Sequence, residues 1–304
     1  MNDAEREWLQ LKFKGAFHEK RGTAFQDWFA DIMAAAHPGD FQRVRAYGAR
    51  GDLKCDGFLP SSGVVYQCYA PRETKLKQLL KKIEADFRGA RKHWKHQMKV
   101  WTFVHNDLEG LPADAVQAIE RLRAANSGLK IYELAYEGLE KVVLSLPDPD
   151  RVRIFGRPPT RRDFDTLGFE QLAVVLAHLA AAAAPPVDVE IKPVSPTKLE
   201  ANALSDTAAS YMRMGRQREP LVEDYFSKHP NPSFGEDVAN AFRAEYRRLR
   251  GLGYDADRVF AALQEFAGGS TRGYLSHEAA VLAVLAYLFE RCDIFEPPPD
   301  GRSA

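Results

Sequence analysis

The sequence predicts a mixed α/β domain followed by an all-α domain. In the first half of the chain, segments with helical apolar spacing alternate with short runs of β-branched and aromatic residues, whereas from about Lys198 onward all apolar spacing is helical. A stretch rich in proline, arginine and aspartate begins near Pro147 and separates the two halves. We therefore predict a mixed sheet flanked by helices in residues 1–150, a connector with one alanine-rich helix in 151–196, and a helical domain in 197–304.

The first half is predicted to contain a helix, two strands, a helix, a strand, a helix and a strand, in that order. The first helix places Phe25, Phe29 and Ile32 at helical spacing and ends before Pro38. Strands are predicted in FQRVRAYGARGD, GVVYQCYA, VWTFVHND and GLKIYELAY, which are rich in β-branched and aromatic residues. The intervening helices are a long one from about residue 75 to 98 and a second one in LPADAVQAIERLRAAN.

The second half is predicted to form a helical bundle. Apolar residues recur every three or four positions in LVEDYF, VANAFRAEYRRLRGLG and ADRVFAALQEFA. The segment EAAVLAVLAYLFERCDIF is apolar nearly all round, and we therefore expect it in the middle of the bundle.

Composition restricts the broad class of the protein. The chain has 304 residues, of which 45% are hydrophobic and 28% charged, enough for about two packed domains. Its formal net charge is zero, so any attraction to nucleic acid has to be local. Scattered cysteines without zinc-ligand spacing, and a charged N-terminus without an apolar signal core, indicate a cytoplasmic protein. The most apolar run, LAVVLAHLAAAAA, is too short to span a membrane.

One short segment carries residues suited to divalent-metal chemistry. Asp52 and Asp56 precede a turn-rich stretch, and the β-branched run after the turn contains Gln67. Hard cations such as Mg²⁺ prefer oxygen ligands, which carboxylates and amide carbonyls supply. Side chains alternate along a strand, so Gln67 and Tyr69 are predicted to share one face of it. The alternative, that Asp52 and Asp56 merely cap a turn as Asp-Gly pairs commonly do, stays open.

The segment GDLKCDGFLPSSGVVYQCYA and the preceding helix GTAFQDWF resemble the metal-binding hairpin and helix of the restriction-endonuclease-like, PD-(D/E)xK fold. The resemblance covers about residues 20 to 145 and implies a phosphodiesterase that uses Mg²⁺ or Mn²⁺. It assigns Asp56 as the first metal ligand, Asp52 as the second, and Gln67 to the position that is usually a glutamate. In that family the ion activates water and offsets charge on the phosphate.

At the position where this fold usually has a lysine, the chain has Tyr69. The lysine orients the attacking water and stabilises the transition state, and a tyrosine carries no permanent positive charge. Lys54 in the acidic segment, and Lys75 and Lys77 at the start of the next helix, are candidates to replace it. The sequence does not choose among them, and Tyr69 itself stays among the candidate catalytic residues.

A basic stretch follows the predicted metal hairpin. Between residues 72 and 99 basic residues far outnumber acidic ones. The residues predicted to contact the phosphate backbone of DNA are Lys81, Lys82, Arg88, Arg91, Lys92 and Lys95. The alternative is an ordinary solvated helix face, which is the usual meaning of a charge run.

From about residue 185 to 297 the chain resembles the C-terminal domain of bacterial ABC-three-component system proteins. The segments that carry the resemblance are KLEANALSDTAASYMRMG, LVEDYFSKHPNPSFGEDVANAF and AAVLAVLAYLFERCDIFEPP. In that family an effector, often with a nuclease fold, is joined to this helical domain and encoded beside an ABC-type ATPase and a small middle component. The resemblance implies defence against phages and plasmids, with DNA and these two components as partners. A homo-oligomer is compatible with it, and no membrane partner is expected.

Three hypotheses follow for the function. In the first, the N-terminal domain is an Mg²⁺-dependent DNA endonuclease that the helical domain holds to an ATPase complex. In the second, the nuclease fold is degenerate and binds nucleic acid or partners without hydrolysis. In the third, both domains serve assembly alone. Two acids held close together without a cation are costly, which favours the first hypothesis over the second.

Overall fold

The computed structural model describes residues 1–45, 52–181, 204–268 and 276–291. Contacts between residues divide the chain into two compact units, each described here by itself. The sheet unit comprises Phe17–Ile154, and the helical unit comprises Met1–Ala16 together with Phe155–Ala304. The predicted sheet domain, 1–150, therefore differs from the sheet unit mainly at its N-terminus, because the first residues pack with helices of the second half.

A mixed sheet forms the centre of the sheet unit, as predicted. Its strands, in both chain order and spatial order, are β1 (Gln42–Arg43), β2 (Gly57–Leu59), β3 (Val64–Tyr69), β4 (Val100–His105) and β5 (Lys130–Leu134). β1, β2 and β3 are antiparallel neighbours, whereas β3, β4 and β5 are parallel. Of the predicted strand FQRVRAYGARGD, Gln42–Arg43 form β1, and residues 46–51 lie outside the described part of the chain.

Helices connect the strands and pack on both faces of the sheet. The helices of this unit are α2 (Gly22–Ala36), α3 (Leu76–Trp94), α4 (Ala113–Ala125), α5 (Tyr136–Ser145) and α6 (Asp148–Phe155). α3 links β3 to β4 and α4 links β4 to β5, since parallel neighbours need a crossover. On one face Tyr66 contacts Phe29 of α2, with ring centroids 5.4 Å apart. On the other face Val65 packs with Leu79 and Ile83 of α3.

The first helix, α1 (Asp3–Glu19), was not predicted from the sequence. Its N-terminal part belongs to the helical unit, where the ring of Trp8 meets that of Tyr211 with centroids 4.7 Å apart. Nζ of Lys12 lies 3.0 Å from Oε2 of Glu278, and both side chains are largely buried. A lysine on the buried side of a helix interrupts the apolar spacing by which the helix would be recognised. Its acidic partner comes from a distant segment, so nothing near it in the sequence indicates that it is buried.

The described helices of the second half form the helical unit, as predicted. They are α7 (Arg161–Asp165), α8 (Phe169–Ala181), α9 (Asp206–Arg216), α10 (Glu219–Lys228), α11 (Phe234–Gly251), α12 (Ala256–Gly268) and α13 (His277–Arg291). Every residue from Ala279 to Ala286 is at most 3% exposed, so α13 occupies the middle of the bundle, as its apolar character indicated. Within the described ranges, no helix combines the length and the apolar character needed to cross a membrane.

The alanine-rich helix α8 is part of the bundle and does not behave as a connector. Its residues Leu172, Val175, Leu176 and Leu179 are fully buried in the same core as α13. Residues of α7 and α8 were predicted to belong to a connector, 151–196, but both helices bury apolar side chains in the core of the helical unit. Residues 182–203 lie outside the described part of the chain.

The start of α7 is held by a buried aspartate, Asp163. Its Oδ2 accepts hydrogen bonds from Nη1 of Arg157 (2.7 Å), the N–H of Thr160 (2.7 Å) and Oγ1 of Thr160 (2.6 Å). The Arg157 guanidinium, followed by the Thr160 hydrogen bonds, lowers the pKa of Asp163 to about 2 from its ordinary 3.8. The ionised carboxylate therefore stabilises the N-terminal end of α7.

We expect Asp163→Asn to destabilise the helical unit by about 1–2 kcal/mol at neutral pH, a range that allows for solvent around the partly exposed Arg157. The folded-state pKa is depressed, so this stability is present above about pH 4 and is lost as the pH falls toward about 2. Urea unfolding at neutral and acidic pH measures the effect. Asp165→Asn is the control, because that carboxylate is 59% exposed. Equal losses in both variants would contradict the prediction.

Candidate metal and phosphate site

Asp56 lies directly before β2, where the β2–β3 hairpin opens. Its backbone N–H donates to the carbonyl oxygen of Tyr66 (2.8 Å). Its Oδ2 accepts two hydrogen bonds from β3, one from the N–H of Cys68 and one from Nε2 of Gln67, each 2.7 Å long. Asp56 is buried. The hairpin therefore brings Asp56 and Gln67 into direct contact.

Gln67 lies in β3 on the face that meets α3. Its neighbours on that face, Val65 and Tyr69, pack in or against the apolar cluster that includes α3. Gln67 is 1% exposed, and its Oε1 is buried without a hydrogen-bond partner among the described residues. A buried carbonyl oxygen without a donor costs about 1–3 kcal/mol. A cation next to Oε1 would remove that cost.

Burial makes the ionised form of Asp56 expensive without a cation. Burial raises the pKa of Asp56 to about 6, because the carboxylate loses its hydration. The N–H of Cys68 and the ammonium of Lys82 lower this pKa, whereas the charges of Asp52 and Asp86 raise it. Asp52, Asp86 and Lys82 are therefore close enough to Asp56 to act on it electrostatically.

A fully buried carboxylate of α3, Asp86, pairs with two lysines. Its Oδ1 lies 3.1 Å from Nζ of Lys54, and its Oδ2 forms an ion pair with Nζ of Lys82, one turn earlier on α3. Neither oxygen has a hydrogen bond of good geometry within the described residues, so these ion pairs are what neutralise it. The contact with Asp86 raises the pKa of Lys54. We call Lys54, Lys82 and Asp86 the lysine clasp.

Lys54 reaches Asp86 from a strained turn. Leu53 and Lys54 have backbone φ angles of 54° and 62°, in the left-handed region that residues other than glycine seldom adopt. Oδ1 of Asp52 accepts a hydrogen bond from the N–H of Lys54 (2.8 Å), and the carbonyl oxygen of Leu53 accepts one from Nε1 of Trp94 (3.2 Å). Such strain persists only where the surrounding contacts enforce it, and it concentrates at functional sites.

Gly89 of α3 leaves room for the stem of Lys54. A Cβ at Gly89 would lie only 2.5 Å from Cγ of Lys54. Real side chains do not approach this closely, so any larger residue at position 89 would displace Lys54. The turn and the glycine therefore act together to place the Lys54 ammonium at Asp86.

Tyr69, at the usual lysine position, packs into the sheet unit. Its ring is stacked on that of Phe103, with centroids 6.0 Å apart and an interplanar angle of 27°. Burial raises the pKa of its hydroxyl, so Tyr69 is neutral at physiological pH. Tyr69 therefore supplies no cation to the site.

The other two candidate replacement lysines lie away from the buried acids. Lys75 is the N-cap residue of α3, Lys77 is in its first turn, and both are exposed. No contact among the described residues joins either lysine to Asp56 or Asp86. Of the three candidates, Lys54 is the one that the structure brings to the site.

Most basic residues of α3 form an exposed stripe on the side of the helix that faces away from Asp86. The helix buries Leu79, Ile83, Asp86, Phe87 and Ala90 against the sheet unit. A rotation of about 100° per residue places most of the predicted DNA contacts on the opposite side. The exposed ones are Lys81, Arg88, Arg91, Lys92 and Lys95. Lys82 lies on the flank between the two sides and is half-buried.

The oxygen atoms near Asp56 fit a hard divalent cation. Oδ1 of Asp56 accepts no hydrogen bond from the described residues, and Oε1 of Gln67 is unpaired, so both are oxygen donors without a partner. No group of three or more His, Cys, Asp or Glu side chains in the described ranges is arranged to hold a metal ion. Two protein oxygen atoms would leave the other coordination positions of a hard cation to water or phosphate, ligands that Mg²⁺ commonly keeps.

Sequence reasoning did not select Asp86, although a signal for it exists. Asp86 falls on the apolar side of α3, three residues after Ile83 and next to Phe87. A carboxylate is almost never fully buried unless it is paired. An acid within the apolar row of an amphipathic helix therefore predicts a partner cation nearby.

The helical unit carries the similarity to known proteins. Residues 170–296 match the family model of C-terminal domain 10 of the ABC-three component (ABC-3C) systems. No curated protein and no solved structure matches the chain.

The ABC-3C match confirms the resemblance for this part of the chain. It begins in α8, upstream of residue 185, which agrees with the burial of α8 in the bundle. A domain of a three-component system implies partnering with the other components of that system. The match does not reach the sheet unit, so the chemistry of that unit is argued from its geometry.

Proposed function

We propose that this chain is a metal-dependent DNA endonuclease, the effector of a bacterial ABC-3C defence system. The sheet unit hydrolyses the phosphodiester bond, and the helical unit holds it to an ABC-type ATPase and a small middle component. The contact of Asp56 with Gln67, 2.7 Å apart across the hairpin and beside two partly exposed lysines, is the observation that carries the proposal. The match of residues 170–296 supports the assignment to the system.

The residues divide the work by their chemistry. Asp56, through Oδ1, is the principal ligand of Mg²⁺ or Mn²⁺, and Gln67 and Asp52 offer further oxygen atoms. An ion held by these residues would supply an acidified water and offset charge on the phosphate. The desolvation that raises the pKa of Asp56 to about 6 is relieved when a cation faces the carboxylate. The exposed stripe of α3 holds the nucleic-acid backbone without reading its sequence.

The test is nicking of a supercoiled plasmid, by the chain alone and with its two partner components. We expect cleavage with Mg²⁺ or Mn²⁺, none with EDTA, and none for Asp56→Ala with either metal. Asp114→Ala is the matched control, because Asp114 is an exposed acid of α4. A wild-type protein that never nicks DNA under these conditions overturns the proposal.

A second candidate function is supported by Tyr69. Its ring is stacked on Phe103 and leaves no cation at the usual lysine position, as expected of a module that binds nucleic acid without hydrolysis. The two functions differ in metal binding. A hydrolytic site binds Mn²⁺ through Asp56, whereas a degenerate one binds DNA with an affinity that Asp56→Ala leaves unchanged. Calorimetric Mn²⁺ titration of the wild-type protein and Asp56→Ala separates them.

A further inference from the structure

Two lysines from different elements converge on one carboxylate at the edge of the site. Lys54 comes from the strained turn before β2, and Lys82 comes from α3. Asp86 itself is 0% exposed, whereas the side chains of Lys54 and Lys82 are 43% and 32% exposed. The carboxylate is thus hidden, and the two ammonium groups remain open to solvent.

The clasp carries more positive charge than its own aspartate neutralises. One carboxylate facing two ammonium groups leaves a net charge of about +1. A buried carboxylate of charge −1 is neutralised by a single lysine, so the second lysine and the strained turn exceed what the burial of Asp86 requires. Here two left-handed residues and the missing side chain of Gly89 are all needed to bring Lys54 in.

We propose that Lys54 and Lys82 form a paired binding subsite for a phosphate oxygen of the nucleic-acid backbone, and that Asp86 is the positioning residue that holds both ammonium groups. This inference rests on the proposed function, since the pair supplies the positive charge that Tyr69 does not. Asp86 touches neither nucleic acid nor metal and acts through the two lysines.

Binding tests the subsite without any need for catalysis. The probe is a short fluorescent DNA duplex, titrated in EDTA at several salt concentrations. Each phosphate contact contributes about −0.9 to the slope of log K against log salt. We expect the double variant Lys54→Ala/Lys82→Ala to reduce the magnitude of this slope by about 1. Lys141→Ala is the control, because Lys141 is an exposed lysine of α5, and we expect it to leave the slope unchanged.

Cleavage rates at saturating protein test the positioning role. We expect Lys82→Ala to slow cleavage about 10–100-fold. Lys82→Arg is expected to retain much of the wild-type rate, because arginine and lysine place a positive charge at the same position. We expect Asp86→Asn to slow cleavage about 10-fold while DNA affinity stays equal or rises, because a negative charge has been removed. A role in stability alone would not separate rate from affinity in this way.

Gly89→Ala keeps the inference testable if Asp86→Asn fails to fold. Alanine favours the helix, and its methyl group displaces Lys54, so we expect this variant to match Lys54→Ala in both assays. Unchanged rates and salt slopes in the lysine variants overturn the subsite, even if Asp56-dependent cleavage stands. Conversely, if the wild-type protein never cleaves but the lysine variants still have a smaller salt slope than the wild type, the subsite is upheld and the endonuclease is overturned.

Discussion

The Asp56→Asn variant is expected to lose at least about 100-fold in cleavage rate while its sheet unit gains stability at neutral pH. Asparagine keeps an oxygen that can accept the N–H of Cys68 and Nε2 of Gln67, but it brings no charge to a divalent ion. Activity and stability therefore move in opposite directions. A substitution that merely damaged the fold would lower both.

The gain in stability has a defined pH window. The folded-state pKa of Asp56 is raised to about 6 from 3.8, so below about pH 4 the carboxyl is protonated in both states and costs nothing. Between about pH 4 and 6 the unfolded chain releases this proton more readily, and the wild-type protein loses up to about 3 kcal/mol of unfolding free energy. Asparagine does not ionise, so the variant escapes this loss.

Urea unfolding in EDTA, at about pH 4 and about pH 7, measures the difference. Tryptophan fluorescence suits the measurement, because Trp28, Trp94 and Trp101 all lie in the sheet unit. Asp114→Asn, at an exposed position, is the control for a charge change without burial. Wild-type and Asp56→Asn profiles that run parallel over this window would refute the prediction.

Gly215→Ala is expected to destabilise the helical unit by about 2 kcal/mol, or about 4–8 °C in Tm. Gly215 of α9 faces the backbone of α13. A Cβ there would lie 2.8 Å from the carbonyl carbon of Leu282 and 3.1 Å from Cβ of Ala286. Backbone atoms in the middle of a packed bundle do not yield to a methyl group, so the two helices would have to separate.

Gly251→Ala is the matched control for Gly215→Ala. Gly251 is the last residue of α11, and a Cβ there would meet no atom within 4 Å. We expect this variant to gain up to about 1 kcal/mol from the higher helix propensity of alanine. Thermal unfolding followed by helical circular dichroism compares the two. A Gly215→Ala protein as stable as the Gly251→Ala protein would show that α9 and α13 do not need their close approach.

The regular elements could be predicted where their pattern is local. β3 and β4 are runs of β-branched and aromatic residues, and α13 is apolar all round, so both the sheet and the centre of the bundle were predictable. β2 is three residues long and carries too little pattern. α1 was missed because Lys12 lies among its buried residues, and only Glu278, far away in the chain, explains that burial.

The residues of the candidate site were likewise predictable only where a local structure brings them together. The proximity of Asp56 and Gln67 follows from a hairpin, which is a local structure. The lysine clasp depends on the left-handed turn of Leu53 and Lys54, and neither residue type signals a positive φ. A local hydrogen bond to Asp52 stabilises that turn, and a second one, from Trp94, forms only when α3 is in place.

The helical unit is built from two stretches of chain that are far apart in sequence, since residues 1–16 pack with those from 155 onward. During synthesis α1 leaves the ribosome before the sheet unit and its packing partners leave after it, so the bundle cannot close until the sheet unit has been made. Exchanging the sheet unit for another domain in such a chain therefore requires an insertion with two junctions, near residues 16 and 155. Swapping everything upstream of the bundle at a single junction would remove a helix that the bundle needs.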